Sequence, residues 1–580
     1  MQRKKANPYL LILVIAAAVR LWGIGFGLPH TMCRPDEETV AALAFRFFQG
    51  HFKTQFFSYP TLFMYISAVL YAVTFVFGWL FGLFSSKESF VSWATVNPWL
   101  LLLIDRLLSV ACGVASVAIL YSIGRRLFDR TTALIASAFL ALAVLPVRDS
   151  HFGTTDSAVT CLILASFLFT VRYAQQGRSK ELWRAAALAG LAASTKYNAL
   201  LIALPALAVA SGFGFGLSKH MAPGRIRRLM RFGLTALLAF LAGTPFALIS
   251  LKSFLAGFSQ EFSHLMSGHG LLIGRGWIVH FATSLRYGLG LPLLIISIGG
   301  LVWMARRATR SAVLVGLFPV AYFMMIGRGY TVFVRYMLPV IPFLCLTGAW
   351  ASVSFGSALA SAIGRSARTI WMTLLLAALI IAPSTWNVIQ IDRLLATSDS
   401  RLLAAEWLRT NMPASATIFQ TGSLYSQVQL GVPALLPRSE EWEFDEGKGQ
   451  FMRKGTCSPD PPDFIIVLSS PLELYTPVPP GLDIALTRDF RLVQRIRAYD
   501  PGAISGVFDR IDAFFLPLSG FGGIERPGPN IDIYRRHAPD ALIPPPSLRP
   551  TKSRRFCPSR HADRLEEVGR SQGPEGMASR

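Results

Sequence analysis

Long apolar runs follow one another along the first two-thirds of the chain, separated by short polar stretches. A run of about 20 apolar residues is long enough for a helix to cross the hydrocarbon core of a bilayer. The pattern therefore predicts an all-α polytopic membrane bundle over residues 1–391. The runs lie at about 8–28, 61–84, 98–124, 131–147, 157–174, 184–217, 232–251, 287–305, 311–327, 334–352 and 369–390.

The pattern of apolar positions changes after residue 391. The stretch 399–411 has leucines and a tryptophan at helical spacing, which predicts an amphipathic helix. Short runs typical of β-strands follow, at 416–420, 464–468 and 513–516. We therefore expect a small α/β domain over 392–537. Proline, serine and arginine dominate 538–580, and this composition predicts a disordered tail.

Composition and charge agree with a membrane protein. Hydrophobic residues make up 52% of the chain and charged residues only 15%, whereas soluble domains carry about a quarter charged residues. Lys and Arg total 56 against 33 Asp and Glu, for a net charge of +23. A basic balance can indicate nucleic-acid binding, but here the cations cluster in loops, as is typical of loops on the cytoplasmic side. We expect contact with membrane lipids and no nucleic acid.

The basic loops also predict the topology. If the cluster at 3–5 is cytoplasmic, the first helix leads outward and the loop around residue 36 is extracytoplasmic. The cluster at 125–130 is then internal only if one of the two intervening apolar runs does not cross. We assign this role to the aromatic-rich 61–84 segment, as a helix in the outer interface. Two ordinary crossings that break the charge rule are the alternative.

The run 184–217 starts and ends beside basic clusters. It therefore predicts two short helices joined at the outer face by a turn at 194–198. With these assignments about eleven helices cross the membrane. The N-terminus is then cytoplasmic, the domain at 392–537 is extracytoplasmic, and the expected location is the inner (plasma) membrane.

The sequence contains no motif for a common cofactor. The six cysteines show neither CxxC nor a metal-ligand spacing. Walker A, HExxH and Rossmann glycine patterns do not occur. Transfer from nucleotide-bound substrates at the inner face is thus unsupported. A disulfide between Cys33 and Cys457 stays open, because it requires that both face an oxidising compartment.

Acidic residues are rare in the apolar part, yet Asp36, Glu37 and Glu38 adjoin in the first outer loop. Pro35 can start a helix there, and a first helical turn favours carboxylates, so capping is one interpretation. Catalysis is the other, since a partly desolvated carboxylate is more basic and can take a proton from an incoming nucleophile. Asp36 and Glu37 are our catalytic candidates.

The second outer loop adds Asp149, His151 and Asp156. Asp156 can simply cap the following helix, and His151 equally suits a local hydrogen bond. In the catalytic interpretation, Asp156 orients the acceptor, and His151 contributes to substrate binding. Carboxylates on two loops can also hold a divalent cation, although no ligand spacing requires a metal.

Cations also lie at the predicted outer face, namely Arg106, Lys196 and Arg335. Contact with lipid head groups explains such cations without a site, and a local ion pair with Asp105 explains Arg106. The functional interpretation is a pocket for the phosphate of a lipid-linked substrate, with lysine as a point charge and arginine as a bidentate donor. Outer acids, outer cations and apolar helices suit a substrate with a lipid tail, a phosphate and a polar group to be transferred.

Several short motifs follow one another in order between residues 8 and 350. They are Arg-Pro-Asp-Glu at 34–37, Tyr-Pro-Thr-Leu at 59–62, Arg-Leu-Leu-Ser at 106–109, Ser-His at 150–151, Thr-Asp at 155–156, Thr-Lys-Tyr-Asn at 195–198, Gly-Thr-Pro-Phe at 243–246 and Arg-Tyr-Met-Leu-Pro at 335–339. In this order they resemble the GT-C membrane glycosyltransferases of the protein O-mannosyltransferase and lipid A aminoarabinose transferase type (the dolichyl-phosphate-mannose-protein mannosyltransferase-like family).

The resemblance implies a GT-C fold and an inverting transfer from a polyprenyl-phosphate sugar donor to a lipid, glycan or protein acceptor at the outer face. It implies that Asp36 is the base and that Asp156 is the second-loop acid. It also implies a helix lying at the membrane in the first loop. The chain departs from the family pattern at Tyr59, where related enzymes often have a lysine or histidine near the donor phosphate. Lys53, Lys196 or Arg335 can take over that role, and Tyr59 itself is a further candidate for substrate binding.

A transporter or flippase of a lipid-linked sugar is the alternative function. It would use the same outer cations, but transporters tend to place charged groups near the bilayer midplane and to contain internal repeats. The acids here cluster in outer loops, and the sequence shows no clear repeat. The pattern therefore favours the enzyme over the transporter.

Overall fold

The computed structural model describes residues 7–212, 224–362, 369–431, 442–453, 456–457, 460–503 and 505–537. The predicted tail at 538–580 lies outside the described residues. The chain forms a helical part up to Leu395, followed by a mixed α/β part. This architecture confirms the predicted fold class.

The helical part contains long helices joined by short or irregular connections. Its α-helices are α1 (Pro8–Leu21), α2 (Glu37–Phe48), α3 (Leu62–Leu80), α4 (Lys87–Val96), α5 (Trp99–Leu127), α6 (Arg130–Leu142), α7 (Val144–Arg148), α8 (Thr155–Gln176), α9 (Ser179–Ala193), α10 (Ala203–Ala210), α11 (Arg225–Gly243), α12 (Phe246–Ile249), α13 (Leu251–Ser267), α14 (Gly276–Val279), α15 (Arg286–Leu289), α16 (Leu291–Arg307), α17 (Thr309–Ile326), α18 (Ile341–Ala362) and α19 (Thr369–Leu395). 3₁₀ segments occupy Asp149–His151, Tyr197–Ile202 and Val334–Val340, and a π-helical turn occupies His280–Leu285.

The described residues include six helices long and apolar enough to cross a membrane, or eight if each of two bent pairs forms one span. The chain is therefore a multi-pass membrane protein. This count is lower than the predicted eleven because several apolar runs fold into short or broken helices. Pro8–Leu21 and Tyr197–Ala210 are apolar but short. The run at 184–217 divides near 194–198, as predicted.

The helix predicted to lie in the outer interface is α3. Tyr71, near its middle, donates a hydrogen bond of 2.6 Å to Asp105, close to the N-terminal end of α5. Beyond the end of α3, Phe84 packs on Phe90 and Trp93 of α4, which directly precedes α5. Since α5 is about 44 Å long, these contacts keep α3 at one end of α5. However, α3 is itself one of the six helices long and apolar enough to cross a membrane, so its interfacial position stays a prediction.

The α/β part contains two sheets. It begins with α20 (Ser400–Asn411), as predicted, and also contains α21 (Leu482–Asp489). The strands are β1 (Ile418–Gln420), β2 (Trp442–Asp445), β3 (Gln450–Arg453), β4 (Thr456–Cys457), β5 (Phe464–Ser469), β6 (Phe490–Ile496) and β7 (Asn530–Arg536). One sheet has the order β1-β5-β7-β6, with β1 and β5 parallel and the other pairs antiparallel. The other is an antiparallel β2-β3-β4 sheet.

The third predicted strand, 513–516, is wrong. These residues form no strand, and Phe514 and Leu516 instead pack with Phe26 and Val388 of the helical part in one apolar cluster. The apolar run therefore marks the junction of the two parts and contributes no strand to either sheet. Cys33 belongs to the same cluster and is a free thiol; the side chain of Cys457 lies outside the described residues.

Candidate active site

Asp36 occupies an unusual backbone position between α1 and α2. Its φ of 74° is the single positive φ among the described residues other than glycine, and this left-handed conformation costs a non-glycine residue about 1 kcal/mol. Asp36 sits at the N-cap of α2 but makes no side-chain capping hydrogen bond. Its Oδ2 instead accepts a hydrogen bond of 2.6 Å from Nη2 of Arg335. The capping interpretation therefore does not explain Asp36.

Arg335 connects this carboxylate to the α/β part. Its Nη1 lies 3.3 Å from Oδ2 of Asp512, and Oδ1 of Asp512 accepts a hydrogen bond of 2.6 Å from Arg34. The four side chains form an alternating chain of two carboxylates and two guanidinium groups, which we call the junction cluster (Asp36, Arg335, Asp512 and Arg34). Sequence reasoning missed Asp512, because it lies 177 residues beyond Arg335 in a stretch with no local functional motif.

Buried acids of the 509–512 segment differ in their ionisation. Burial favours the neutral form of Asp512, but Arg34 and Arg335 outweigh it and hold the pKa of Asp512 below its usual range. Burial and the neighbouring Asp512 charge raise the pKa of Asp509 to about 6. Asp509 Oδ2 accepts a hydrogen bond of 2.9 Å from the backbone N–H of Val334. The segment thus fixes both the backbone next to Arg335 and its guanidinium.

Glu37 and Arg106, both predicted site residues, pair with each other inside the protein. Two hydrogen bonds of 2.7 and 2.8 Å link the Glu37 carboxylate to the guanidinium group. Arg106 also donates to the carbonyl oxygens of Ile24 and Phe26, and Glu37 accepts from the backbone N–H of Gly153. This arrangement ties the start of α2 to α5 and to the segment between α7 and α8, and it directs most of the donors of Arg106 to protein partners.

Glu38 is a buried carboxyl group that contacts the α/β part. Its Oε1 accepts a hydrogen bond of 3.0 Å from the Tyr425 hydroxyl group, and its Oε2 is buried without a partner. Burial and the nearby Asp36 charge raise the pKa of Glu38 to about 8. In the sequence, Glu38 stood out only as a neighbour of Asp36. Its contact with Tyr425 could not be predicted, because the two residues are far apart along the chain.

Lys196 and Asp156 form the second predicted pair of the site. Lys196 Nζ donates a hydrogen bond of 2.7 Å to Asp156 and lies 5.1 Å from the centre of the Tyr336 ring. Asp156 belongs to the first turn of α8, whose N-cap is Thr154, so it is not the cap considered above. Tyr336 follows Arg335 directly, and this adjacency brings the pair next to the junction cluster.

Tyr59 and Glu261 also face these charges. Burial raises the pKa of Tyr59 well above its usual value, and the charge of Asp36 adds to this effect. Burial likewise raises the pKa of Glu261, while Lys196 acts in the opposite direction. Glu261 lies on α13 and was not a predicted site residue, although it is one of the rare acids of the apolar part.

His151 lies apart from the junction cluster. Its two ring nitrogens are 2.9 and 3.0 Å from the carbonyl oxygens of Val147 and Trp22, and Nε2 is 3.6 Å from Asp392. These contacts correspond to the local hydrogen bonding that the sequence left open. Within the described ranges, no group of three or more His, Cys, Asp or Glu residues is arranged to hold a metal ion, so the geometry offers no support for the divalent-cation option.

Part of the chain matches a known family. Residues 103–249 match the family model described as dolichyl-phosphate-mannose-protein mannosyltransferase. This part of the chain is similar to the GT-C glycosyltransferases, as its motifs predicted. The matched residues include Arg106, Asp156 and Lys196, whereas Asp36 and Arg335 lie outside them. No curated protein matches the chain.

Several solved structures are similar to this chain at low sequence identity. ArnT from Cupriavidus metallidurans in the apo state is 17% identical, with 90% of this chain and 97% of that chain covered and a TM-score of 0.49. The apo oligosaccharyltransferase from Archaeoglobus fulgidus is 16% identical over 70% of this chain, with a TM-score of 0.45. The S. cerevisiae Pmt1-Pmt2 complex is 20% identical over 50% of this chain and 38% of that chain, with a TM-score of 0.29. The present chain spans 58% of the length of the archaeal oligosaccharyltransferase.

Proposed function

We propose that this protein is a membrane glycosyltransferase that moves a sugar from a polyprenyl-phosphate donor to an acceptor hydroxyl group. The observation that carries the proposal is the ion pair of 2.6 Å between Asp36 and Arg335. It places a carboxylate able to accept a proton beside a guanidinium able to bind a phosphate, next to apolar helices that suit a lipid tail. The family match over residues 103–249 supports the same reaction class.

In the proposed reaction, Asp36 takes the proton of the acceptor hydroxyl group as its oxygen attacks the anomeric carbon. The new carbon–oxygen bond forms on the face opposite the phosphate, so the configuration at that carbon inverts. The bond from this carbon to the phosphate oxygen breaks, and its electron pair leaves with the polyprenyl phosphate. Asp36 thus becomes neutral while the phosphate gains a negative charge. Arg335 lies next to Asp36. A donor phosphate that competes for Arg335 frees the carboxylate of Asp36 to act as the base.

Other predicted residues receive supporting roles. Lys196 adds a second positive charge for the phosphate, and its partner Asp156 orients the lysine or the acceptor. Tyr59 closes the site near Asp36. Glu37 and Arg106 hold the loop that carries Asp36, a role that replaces direct phosphate binding by Arg106. His151 supports the second loop through its backbone hydrogen bonds.

We propose an inner-membrane location with the N-terminus in the cytoplasm and this site at the outer face. The membrane domain comprises residues 1–391, and the extracytoplasmic α/β domain comprises 392–537. The acceptor is a lipid, a glycan or a protein. Membrane-impermeant labelling of single cysteines introduced beside Asp36 and Lys196 tests the topology, because labelling from opposite sides would exclude a shared site.

The test of function is the consumption of a radiolabelled polyprenyl-phosphate sugar by the purified full-length protein. An enzyme converts the donor to polyprenyl phosphate and a labelled acceptor or hydrolysed sugar. A flippase in vesicles moves the labelled donor between leaflets and leaves it chemically intact. Intact donor after incubation with membrane extracts as the acceptor source would contradict the proposal.

A further inference from the structure

The two ends of the Arg335 guanidinium group are in different surroundings. Nη2 contacts Asp36, whose side chain is 27% exposed, whereas Nη1 faces Asp512, which is 1% exposed. One end therefore borders the open side of the site, and the other end is enclosed by the α/β part. A substrate phosphate can reach the end at Asp36, but it cannot displace Asp512 without separating the two parts of the protein.

We propose that Asp512 is a positioning residue that holds Arg335 in the orientation needed to bind the donor phosphate. This inference rests on the proposed function and extends it: the α/β part then contributes to donor binding through Arg335.

Three further contacts support this role. Asp509 fixes the backbone N–H of Val334, and the Phe333 ring lies 4.4 Å from the Arg335 guanidinium carbon. Arg34 occupies the other oxygen of Asp512 at 2.6 Å, so the carboxylate is itself held in place. An arginine held on three sides loses less conformational freedom when it binds an anion, and such preorganisation strengthens binding.

Charge balance gives Asp512 a second effect. Two carboxylates and two guanidinium groups compensate one another in the junction cluster. When the donor phosphate takes the place of Asp36 at Arg335, Asp512 still compensates the charge of Arg34. Asp512 also keeps the Arg335 guanidinium from turning toward other carboxylates. Without Asp512, Arg335 pairs with Asp36 alone, and the phosphate competes with the carboxylate for a mobile guanidinium.

The first test is the Asp512→Asn variant, which keeps the side-chain shape and removes the charge. We expect the KM for the polyprenyl-phosphate sugar to rise about tenfold, with the KM for the acceptor unchanged. Asp532→Asn is the matched control, because Asp532 also pairs with an arginine of the α/β part but is partly exposed to solvent; its donor KM should equal that of the parent protein. A merely structural role would reduce the amount of active protein and leave the KM for the donor unchanged.

A double-mutant cycle with Arg335→Lys sharpens the test, since residues that act through each other give non-additive effects. In the Arg335→Lys background, Asp512→Asn should change the donor KM by less than twofold, while additive effects would overturn the proposal. If Asp512→Asn does not fold, Asp512→Glu keeps the charge but shifts it by one methylene group. It should raise the donor KM selectively but by a smaller factor, and an unchanged KM would overturn the proposal.

The outcome for Asp512 is separable from that of the proposed function. If the parent protein consumes no donor, the function proposal fails. If the parent protein is active and the Asp512 variants keep its donor KM, only the positioning role fails. Binding of polyprenyl phosphate alone, followed as a shift in Tm, provides a readout independent of catalysis: the shift should shrink in Asp512→Asn and persist in Asp532→Asn.

Discussion

Two sets of ion pairs in this protein have nearly equal distances but opposite surroundings. In the junction cluster, Arg34 and Asp512 lie 2.6 Å apart with exposures of 0% and 1%. On the surface of the α/β part, Arg495 and Asp532 lie 2.8 Å apart with exposures of 45% and 22%. Water screens the surface pair, whereas the buried charges depend on each other because they have lost their hydration. Burial therefore distinguishes the Arg34–Asp512 pair from the surface pair, and pairing distance does not.

The largest effect is expected on the transfer rate when a carboxylate of the junction cluster, rather than one of the surface pair, is replaced. Asp36→Asn keeps the shape of the side chain but removes the proposed base, and a positioned base typically contributes at least about a hundredfold in rate. We expect the transfer rate to fall by about that factor or more, measured with labelled donor at saturating concentration. The same rate measured for Asp532→Asn should equal that of the parent protein. Normal transfer by Asp36→Asn in correctly inserted protein would refute the base assignment.

The second prediction concerns stability. Arg34→Met leaves Asp512 buried with one of its two arginines missing, and breaking a buried pair typically costs about 3 kcal/mol. We therefore expect a clearly lower Tm in detergent solution for Arg34→Met. Arg495→Met removes an exposed arginine that also pairs with an aspartate, and its Tm should match that of the parent protein. Equal Tm values for the two variants would show that the buried ion pair contributes no more to stability than the surface pair.

The third prediction uses the raised pKa of Glu38, which is about 8 in the folded protein against a usual value of 4.5. Between these values, the unfolded chain releases the proton while the folded protein keeps it, so Glu38 lowers stability as the pH rises through this window. Glu38→Gln removes this effect and should raise the Tm at pH 7.5 relative to the parent protein. At pH 4 the two proteins should have similar Tm values.

A matched control for that prediction is Glu406→Gln, because Glu406 is an exposed acid of α20. It should leave the pH dependence of the Tm unchanged. If Glu38→Gln and Glu406→Gln give the same profile, Glu38 is not protonated in the folded protein at neutral pH.

The smallest effect is expected for Tyr425→Phe. This change removes one hydrogen bond of 3.0 Å to Glu38 between the helical and α/β parts, and a single hydrogen bond contributes about 1 kcal/mol. Thermal unfolding should show a small decrease in Tm, smaller than that of Arg34→Met. A decrease as large as that of Arg34→Met would mean that Tyr425, rather than the charged groups, holds the two parts together.

Local patterns predicted some elements of the α/β part well and missed others. The helix α20 and the strands β1 and β5 follow from helical spacing or from apolar runs. The strand β6 was missed because it carries charged and polar residues between its buried ends, and its pairing with β7 stabilises it. The run at 513–516 was misinterpreted because burial at a junction produces the same apolar signal as burial in a sheet.

In the candidate site too, some residues were predicted from local patterns and others were missed. Asp36, Lys196 and Arg335 were predicted individually, because charges are rare beside apolar runs. Their actual partners were only partly predicted, and Asp512 and Tyr425 were not predicted at all. Arg106 and Glu37 were expected to act on substrate, yet they bind each other, which no spacing along the chain could reveal.

The sequence by itself determined that this chain folds as apolar helices followed by a small α/β part. The length and period of apolar runs are local properties, and they decide which segments leave water. Only the tertiary structure decided which charges meet. Asp36 and Arg335 are 299 residues apart, and Arg34 and Asp512 are 478 apart. Side chains so distant in sequence come together only when the helices pack on one another and on the α/β part, because a buried charge is stable only beside a partner that the packing supplies.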